Sequence, residues 1–160
     1  MISYHLKLDG IKGESKNSKH KDEIELTSWN WGVSNATNRA GGGLSAGRAS
    51  AGDVSFTKMT DTASPKLLEM CNSGKHIATG VLTCGKSTGD KTPVDYLTLT
   101  FKELHISGFH MGGSVGDDVG SESVSFAFGA LEYDYKVQGK DGTVSSAGNT
   151  KMDYGLVEIG

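Results

Sequence analysis

His105 and His110 are the closest pair of histidines in the chain. As metal ligands they lack a third donor nearby, so they read as strand histidines. Cys71 and Cys84 have no metal-ligand spacing. The opening MISYHLKLDG has no basic and apolar leader, so the two cysteines are expected as buried free thiols, with a disulfide left open. Asp117 and Asp118 stand side by side in GGSVGDDVG. A hydrolase would need two carboxylates held toward one bond. Neighbours on a strand alternate faces, and a Gly-rich loop holds neither. The same stretch has the spacing of a single calcium nonapeptide unit, but such units need stacked neighbours and it occurs once. No G-x-S-x-G, Walker A or G-x-G-x-x-G is present, and no cofactor is implied. Asn35-Ala36-Thr37 matches a glycosylation sequon, relevant only in a eukaryotic secretory path. What remains is display rather than catalysis. In Trp29-Asn30-Trp31 a strand puts both indoles on one face and Asn30 on the other. Two readings stand: core tryptophans with a solvated Asn, or an Asn presented on a concave surface to a ligand.

The elements that must position Asn30 read as β. Ile2, Tyr4, Leu6 and Leu8 alternate with Ser3, His5, Lys7 and Asp9, a half-buried strand. Gly10–Asp22 is a polar, Lys-rich loop. Ile24 and Leu26 keep one parity, and Trp29, Trp31 and Val33 keep the other, so the phase slips at Thr27-Ser28. It slips again between Leu97/Leu99/Phe101 and Leu104/Ile106, and between Val124/Phe126/Phe128/Ala130 and Leu131/Tyr133/Tyr135/Val137. An extra residue or sharp bend does this. Long strands that change face midway suit a closed or nearly closed small β-barrel, or strands that serve a core in one half and a partner in the other. One helix is expected at about 65–72. Ser64 is its N-cap, Pro65 its first residue, Leu67/Met70/Cys71 its apolar face with Leu68 beside them, and Gly74 its stop. Further strands are expected at Val54–Met59, His76–Cys84 and near Met152–Ile159. Met111–Ser121 and Gly139–Thr150 read as loops.

Composition bounds the rest. With 160 residues the chain is one domain, 1–160, large enough for an unstapled core. Net charge −3 gives no footprint for nucleic acid, and no apolar run can span a bilayer. Gly, at 23 residues, is about twice the usual usage. Five of them lie in an extended loop at 34–52, whose interior NATNRAGGGLSAGRASAG is too long for an ordinary connection. Residues 1–80 carry 10 basic and 8 acidic groups, and residues 81–160 carry 6 and 11. That asymmetry is either scatter or two surfaces of opposite sign that meet head to tail.

Several stretches together resemble the Hcp family (haemolysin-coregulated proteins), the tube proteins of the bacterial type VI secretion system. They are DGIKGES at 9–15, ELTSWNWGV at 25–33, the Gly-rich run at 41–43, DVSFTK at 53–58, SPKLLEMCNSGKHI at 64–77 and YLTLTFKE at 96–103. The resemblance implies a mainly β fold: a small barrel of long bent antiparallel strands flanked by one short helix. It implies ring-shaped hexamers that stack into a tube inside a contractile sheath under a VgrG-type spike. The tube carries small effectors in its lumen and is expelled from the producer's cytoplasm without a signal peptide, in bacterial competition or virulence. It implies no enzyme activity, no cofactor, no nucleic acid and no membrane insertion.

By the same resemblance Asn30 faces the lumen and effectors. Arg39, Gly41, Gly42, Gly43, Leu44 and Arg48 lie on the loop that contacts adjacent subunits or rings. Extended family members carry a toxin domain after the barrel, and none is expected after Gly160. The competing reading is a monomeric β-barrel module that holds a small ligand in an apolar pocket.

Overall fold

The structure is a computed structural model that describes residues 2–38, 45–87, 94–138 and 144–155. Arg39, Gly41, Gly42, Gly43 and Leu44 lie outside the described residues, and Arg48 is described in its backbone alone. The elements run β1 (Ile2–Leu8), β2 (Ile24–Leu26), β3 (Ser28–Asn30), β4 (Val33–Asn38), β5 (Ser45–Ala51), β6 (Val54–Met59), α1 (Ser64–Ser73), β7 (His76–Lys86), β8 (Val94–Gly112), β9 (Ser121–Ala127), β10 (Ala130–Gln138) and β11 (Val144–Asp153). The main sheet is antiparallel in the order β2-β1-β7-β8-β9-β6-β3, and β10 and β11 add to β8 beside that path.

The expected phase slips mark the corners of this sheet. β8 is 19 residues long, with Leu97, Leu99 and Phe101 buried on one parity and Leu104 and Ile106 on the other. Between them Glu103 adopts φ 54, which an L-residue seldom does in a strand. β9 pairs with β8 as far as Ala127↔His105, and β10 resumes at Ala130↔Lys102 in unbroken register. The expected run from Val124 to Val137 is therefore two strands with Phe128 and Gly129 at the bend. Both partners turn at the same level, and the Gly129 amide donates to the Lys102 carbonyl.

The sheet is not closed as a barrel by hydrogen bonding, contrary to that part of the sequence expectation. Its two ends, β2 and β3, are instead consecutive in sequence. Thr27 lies between them, and its amide donates to the Thr57 carbonyl. A ladder between β2 and β3 is impossible because one residue separates them. The chain itself joins the two edges. The interior is filled by Phe56, Phe101 and Phe126, with Phe101 and Phe126 edge to face at 5.1 Å, and by Leu67 from α1. Stacking of this geometry adds to the burial term.

α1 differs from expectation at its start. Ala63 occupies the N-cap position without a side-chain cap, and Ser64 is the first helical residue. The Ser64 hydroxyl is instead drawn into a buried ion cluster, and Asp61 Oδ1 accepts the Ala63 amide. Gly74 ends the helix at φ 69, as expected, its amide donating to the Met70 carbonyl. The extended loop at 34–52 is also corrected. Its flanks pair as β4 and β5, a separate two-stranded arm. Among the described residues the last strand is Val144–Asp153, so much of the expected 139–150 loop is strand; residues 156–159 of the final strand expected near Met152–Ile159 lie outside the described residues.

Candidate functional site

Asn30 is exposed and opposes Ser55 across the β3–β6 ladder. Strand alternation places the same face on the neighbours. Ser55 opposes Ser125, Thr57 opposes Ser123, and Ser123 opposes His110 on β8. Ser28 opposes Thr57. The outer face of the β3-β6-β9-β8 limb is thus surfaced with hydroxyls around Asn30, and these seven positions carry no Lys, Arg, Asp or Glu. The hydroxyls bond to one another: Thr57 Oγ1 lies 2.6 Å from both Thr27 Oγ1 and Ser28 Oγ, and Ser107 Oγ lies 3.0 Å from Ser125 Oγ. Ser107 donates to Asp53 Oδ2 at 2.6 Å.

Of the two readings of the tryptophan pair, neither indole is fully buried. Trp29 packs on Tyr4 and Trp31 on Phe128 and Tyr154. Trp31 also donates to the Gly52 carbonyl at 2.9 Å, and Gly52 donates to Gly32, so the tryptophan fixes the root of the β4–β5 arm.

Lys58 and Glu122, the charged residues of β6 and β9, point inward. Lys58, on β6, is fully buried and donates to Glu122 Oε1 at 2.7 Å and Ser64 Oγ at 2.9 Å, with Asp61 Oδ1 at 2.8 Å. This cluster locks the start of α1 to β6 and β9. A second cluster ties down the Lys-rich 10–22 segment. His20 Nδ1 is 3.0 Å from Glu23 Oε2, and its Nε2 is 3.1 Å from Asp95 Oδ2. His5 stacks on the His20 ring at 4.6 Å. Burial, and then the positive charge of His20, push the His5 pKa below 6.5; Glu23, Glu25 and Asp95 oppose the shift. Within KGES, the Gly13 amide donates to Asp22, and a Cβ there would lie 2.4 Å from the Glu23 carbonyl oxygen. No larger residue fits that approach.

Sequence reasoning missed both clusters, because their members stand up to 75 residues apart. Cys71 and Cys84 are free, and burial pushes the Cys84 thiol up to about 11. His105 faces His76 across the β7–β8 pair, and His110 lies on the hydroxyl face, so the structure puts the two on different neighbours. Asp117 accepts from Ser114 within an exposed turn. No group of His, Cys, Asp and Glu among the described residues is arranged to hold a metal, and no described helix is long and apolar enough to cross a membrane.

The fold and this face define a class first: a mainly β protein with a bent antiparallel sheet, one short helix, a protruding arm and a large uncharged display surface. The chain matches, over residues 5–135, the family model described as type VI secretion system effector, Hcp. It is 39% identical over 142 residues to protein hcp1 of Pseudomonas aeruginosa, covering 88% of this chain and 87% of that one. Its fold superposes on a type six secretion system protein with a TM-score of 0.87 at 28% identity, covering 96% of each chain. It also superposes on Hcp1 from Salmonella typhimurium with a TM-score of 0.75 at 32% identity, covering 96% of this chain and 94% of that one. The chain belongs to the Hcp family and is a tube protein of type VI secretion. That family is structural and secreted, not a family of enzymes.

Proposed function

We propose that six copies close into a ring with the β3-β6-β9-β8 limb lining its channel, and that stacked rings form the expelled tube. The tube is seated in a contractile sheath beneath a VgrG-type spike and carries small effectors past Asn30. It leaves the producing cell's cytoplasm through its own machine. The 34–52 arm, with Arg39, Gly41, Gly42, Gly43, Leu44 and Arg48, contacts neighbouring subunits or rings. The chain performs no catalysis in this role, and as a single domain it acts through its surfaces.

The observation that carries this reading is the uncharged hydroxyl face around Asn30. Exposed sheet faces of monomers are commonly studded with Lys and Glu, which keep them soluble and unpaired; this one is not. The small-ligand module loses ground because the space between the sheet limbs is filled by aliphatic and aromatic side chains.

Light scattering of the purified chain tests the ring: six chains of 16.8 kDa give about 100 kDa. Asn30→Trp is expected to keep that mass and lose co-purified small proteins. Loss of the ring in Asn30→Gln would contradict the placement of Asn30 in the lumen.

A further inference from the structure

His5 is buried on the outer side of its strand. On β1 the core face is Leu6 and Leu8, and His5 shares the other face with Ser3 and Lys7. Ser3 is half-buried and Lys7 is exposed, yet His5 is 4% exposed. Its cover is the His20 ring, laid on it with an interplanar angle of 11°. His20 comes from the turn between Ser15 and Glu23, and its Nε2 reaches Asp95 on β8, two strands from β1. Gly85 on β7 leaves room for that reach. A Cβ there would lie 3.0 Å from Asp95 Oδ1 and 3.2 Å from Ser3 Oγ.

The turn itself is loosely made. The amides of His20, Asp22 and Glu23 donate to the carbonyls of Asn17, Ser15 and His20, so these bonds lie within the turn and do not fasten it to the sheet. None of residues 16–19 is buried. Asp22, near its exit, holds φ 63, a conformation that persists only where the surroundings impose it. The root is firmer, because Gly13 sits directly against the Glu23 and Ile24 backbone. The charged and titratable groups that act on His5 are Glu25 from β2, His20 and Glu23 from the turn, and Asp95 from β8. β7 sets the buried Thr83 opposite it. Burial, and then His20, oppose a proton on His5 more than the three carboxylates favour one. A proton is therefore easier to hold there once His20 has moved away.

We propose that the His20 turn is an acid-released clasp. A proton taken up by His5 parts the two rings, His20 lets go of Asp95, and the turn opens from its tip while its root and the sheet stay folded. The face uncovered is that of His5 and Thr83. The segment released carries Lys16, Lys19 and Lys21. In acid the subunit thus exchanges a covered outer face for an open one beside a loose basic segment.

Hydrogen exchange read by mass spectrometry tests it on the full chain, with rates corrected for the intrinsic effect of pH. Between about pH 7.5 and about pH 5.5, peptides covering 16–23 are expected to lose protection about three- to tenfold. Tenfold is roughly the ceiling for one proton taken up about one unit below the ordinary histidine value. Peptides from β7 and from the 97–106 part of β8 are expected to change less than about twofold. That interval lies above the ordinary carboxylate range, so it isolates imidazole. His5→Phe keeps a ring for His20 to stack on and takes up no proton, and its turn is expected to stay protected at both pH values. Asp95→Asn is expected to loosen the turn at both. Equal protection of the turn at the two pH values in the unmodified chain overturns the proposal. So does loss of β7 and β8 protection in step with the turn, which is unfolding of the subunit. Release of the His5→Phe turn to the same extent as the unmodified one, or an Asp95→Asn turn as well protected as the unmodified one, overturns it too. If His5→Phe does not fold, His5→Gln takes its place, and the unmodified chain by itself still decides whether the turn opens alone.

Discussion

Lys58 holds a charge where no water reaches it, and it is tolerable only because Glu122, Asp61 and Ser64 all converge on it. Removing one partner of a buried pair strands the others. Lys58→Met is expected to destabilise the subunit by about 3–5 kcal/mol in urea unfolding, and an unchanged midpoint would show that the cluster relaxes into solvent. His5 gives a pH dependence of known sign. Its folded pKa lies below 6.5, so the folded state holds fewer protons than the unfolded chain in that range. Its contribution is fully present above pH 6.5 and is lost as pH falls from 6.5 toward the lower folded value. Between about pH 7.5 and about pH 5.5 the Tm of the unmodified chain should fall more than that of His5→Gln. Equal falls would assign the effect to other groups.

At the scale of elements, the corner at Glu103 is where a side chain meets the wrong backbone. A β-branched residue at φ 54 is strained, so Glu103→Val is expected to cost about 1–2 kcal/mol in thermal or urea unfolding, while Glu103→Gly is tolerated there. If both variants unfold alike, the corner is held by its neighbours rather than by this residue. The same corner shows why much of the fold was legible. A buried face leaves a two-residue rhythm in the sequence, and a corner shifts its phase, so the bends at Thr27 and Lys102-Glu103 were readable before any coordinates. β11 left no such trace. Nearly all its residues are exposed, so neither face is selected for apolarity and its Ser, Gly, Asn and Thr read as loop. Ser64 misled for the opposite reason: it has the chemistry of an N-cap, but Lys58 and Glu122 claim its hydroxyl from 6 and 58 residues away. At the site, Asn30 was legible because two indoles bracket it. The hydroxyls around it were not, since Ser28, Ser55, Thr57, Ser123 and Ser125 become one surface only through pairing between distant strands.

At the scale of the whole molecule, the subunit has a polar display face around Asn30 and a two-stranded arm, β4–β5. An apolar strip is left open on the β10–β11 hairpin, where Tyr133 and Tyr135 continue the core face of Leu99 and Leu97 outward at 38% and 41% exposure. Core residues that run out to an uncovered edge fit a chain that completes its burial only beside another copy. Tyr133→Ser/Tyr135→Ser is expected to shift light scattering from ring to smaller species with little change in subunit Tm. A full-sized ring from that variant would place the subunit contact elsewhere. The junction at Thr27 bears on what such a subunit withstands when it is driven forward. A band fastened to itself by hydrogen bonds can peel apart at the fastening, one bond after another. Here the fastening is the polypeptide itself, so no pull short of breaking a covalent bond opens the band at that point. Mechanical failure must start elsewhere, and the three-residue pairings of β2 with β1 and of β3 with β6 are the shortest ladders next to it.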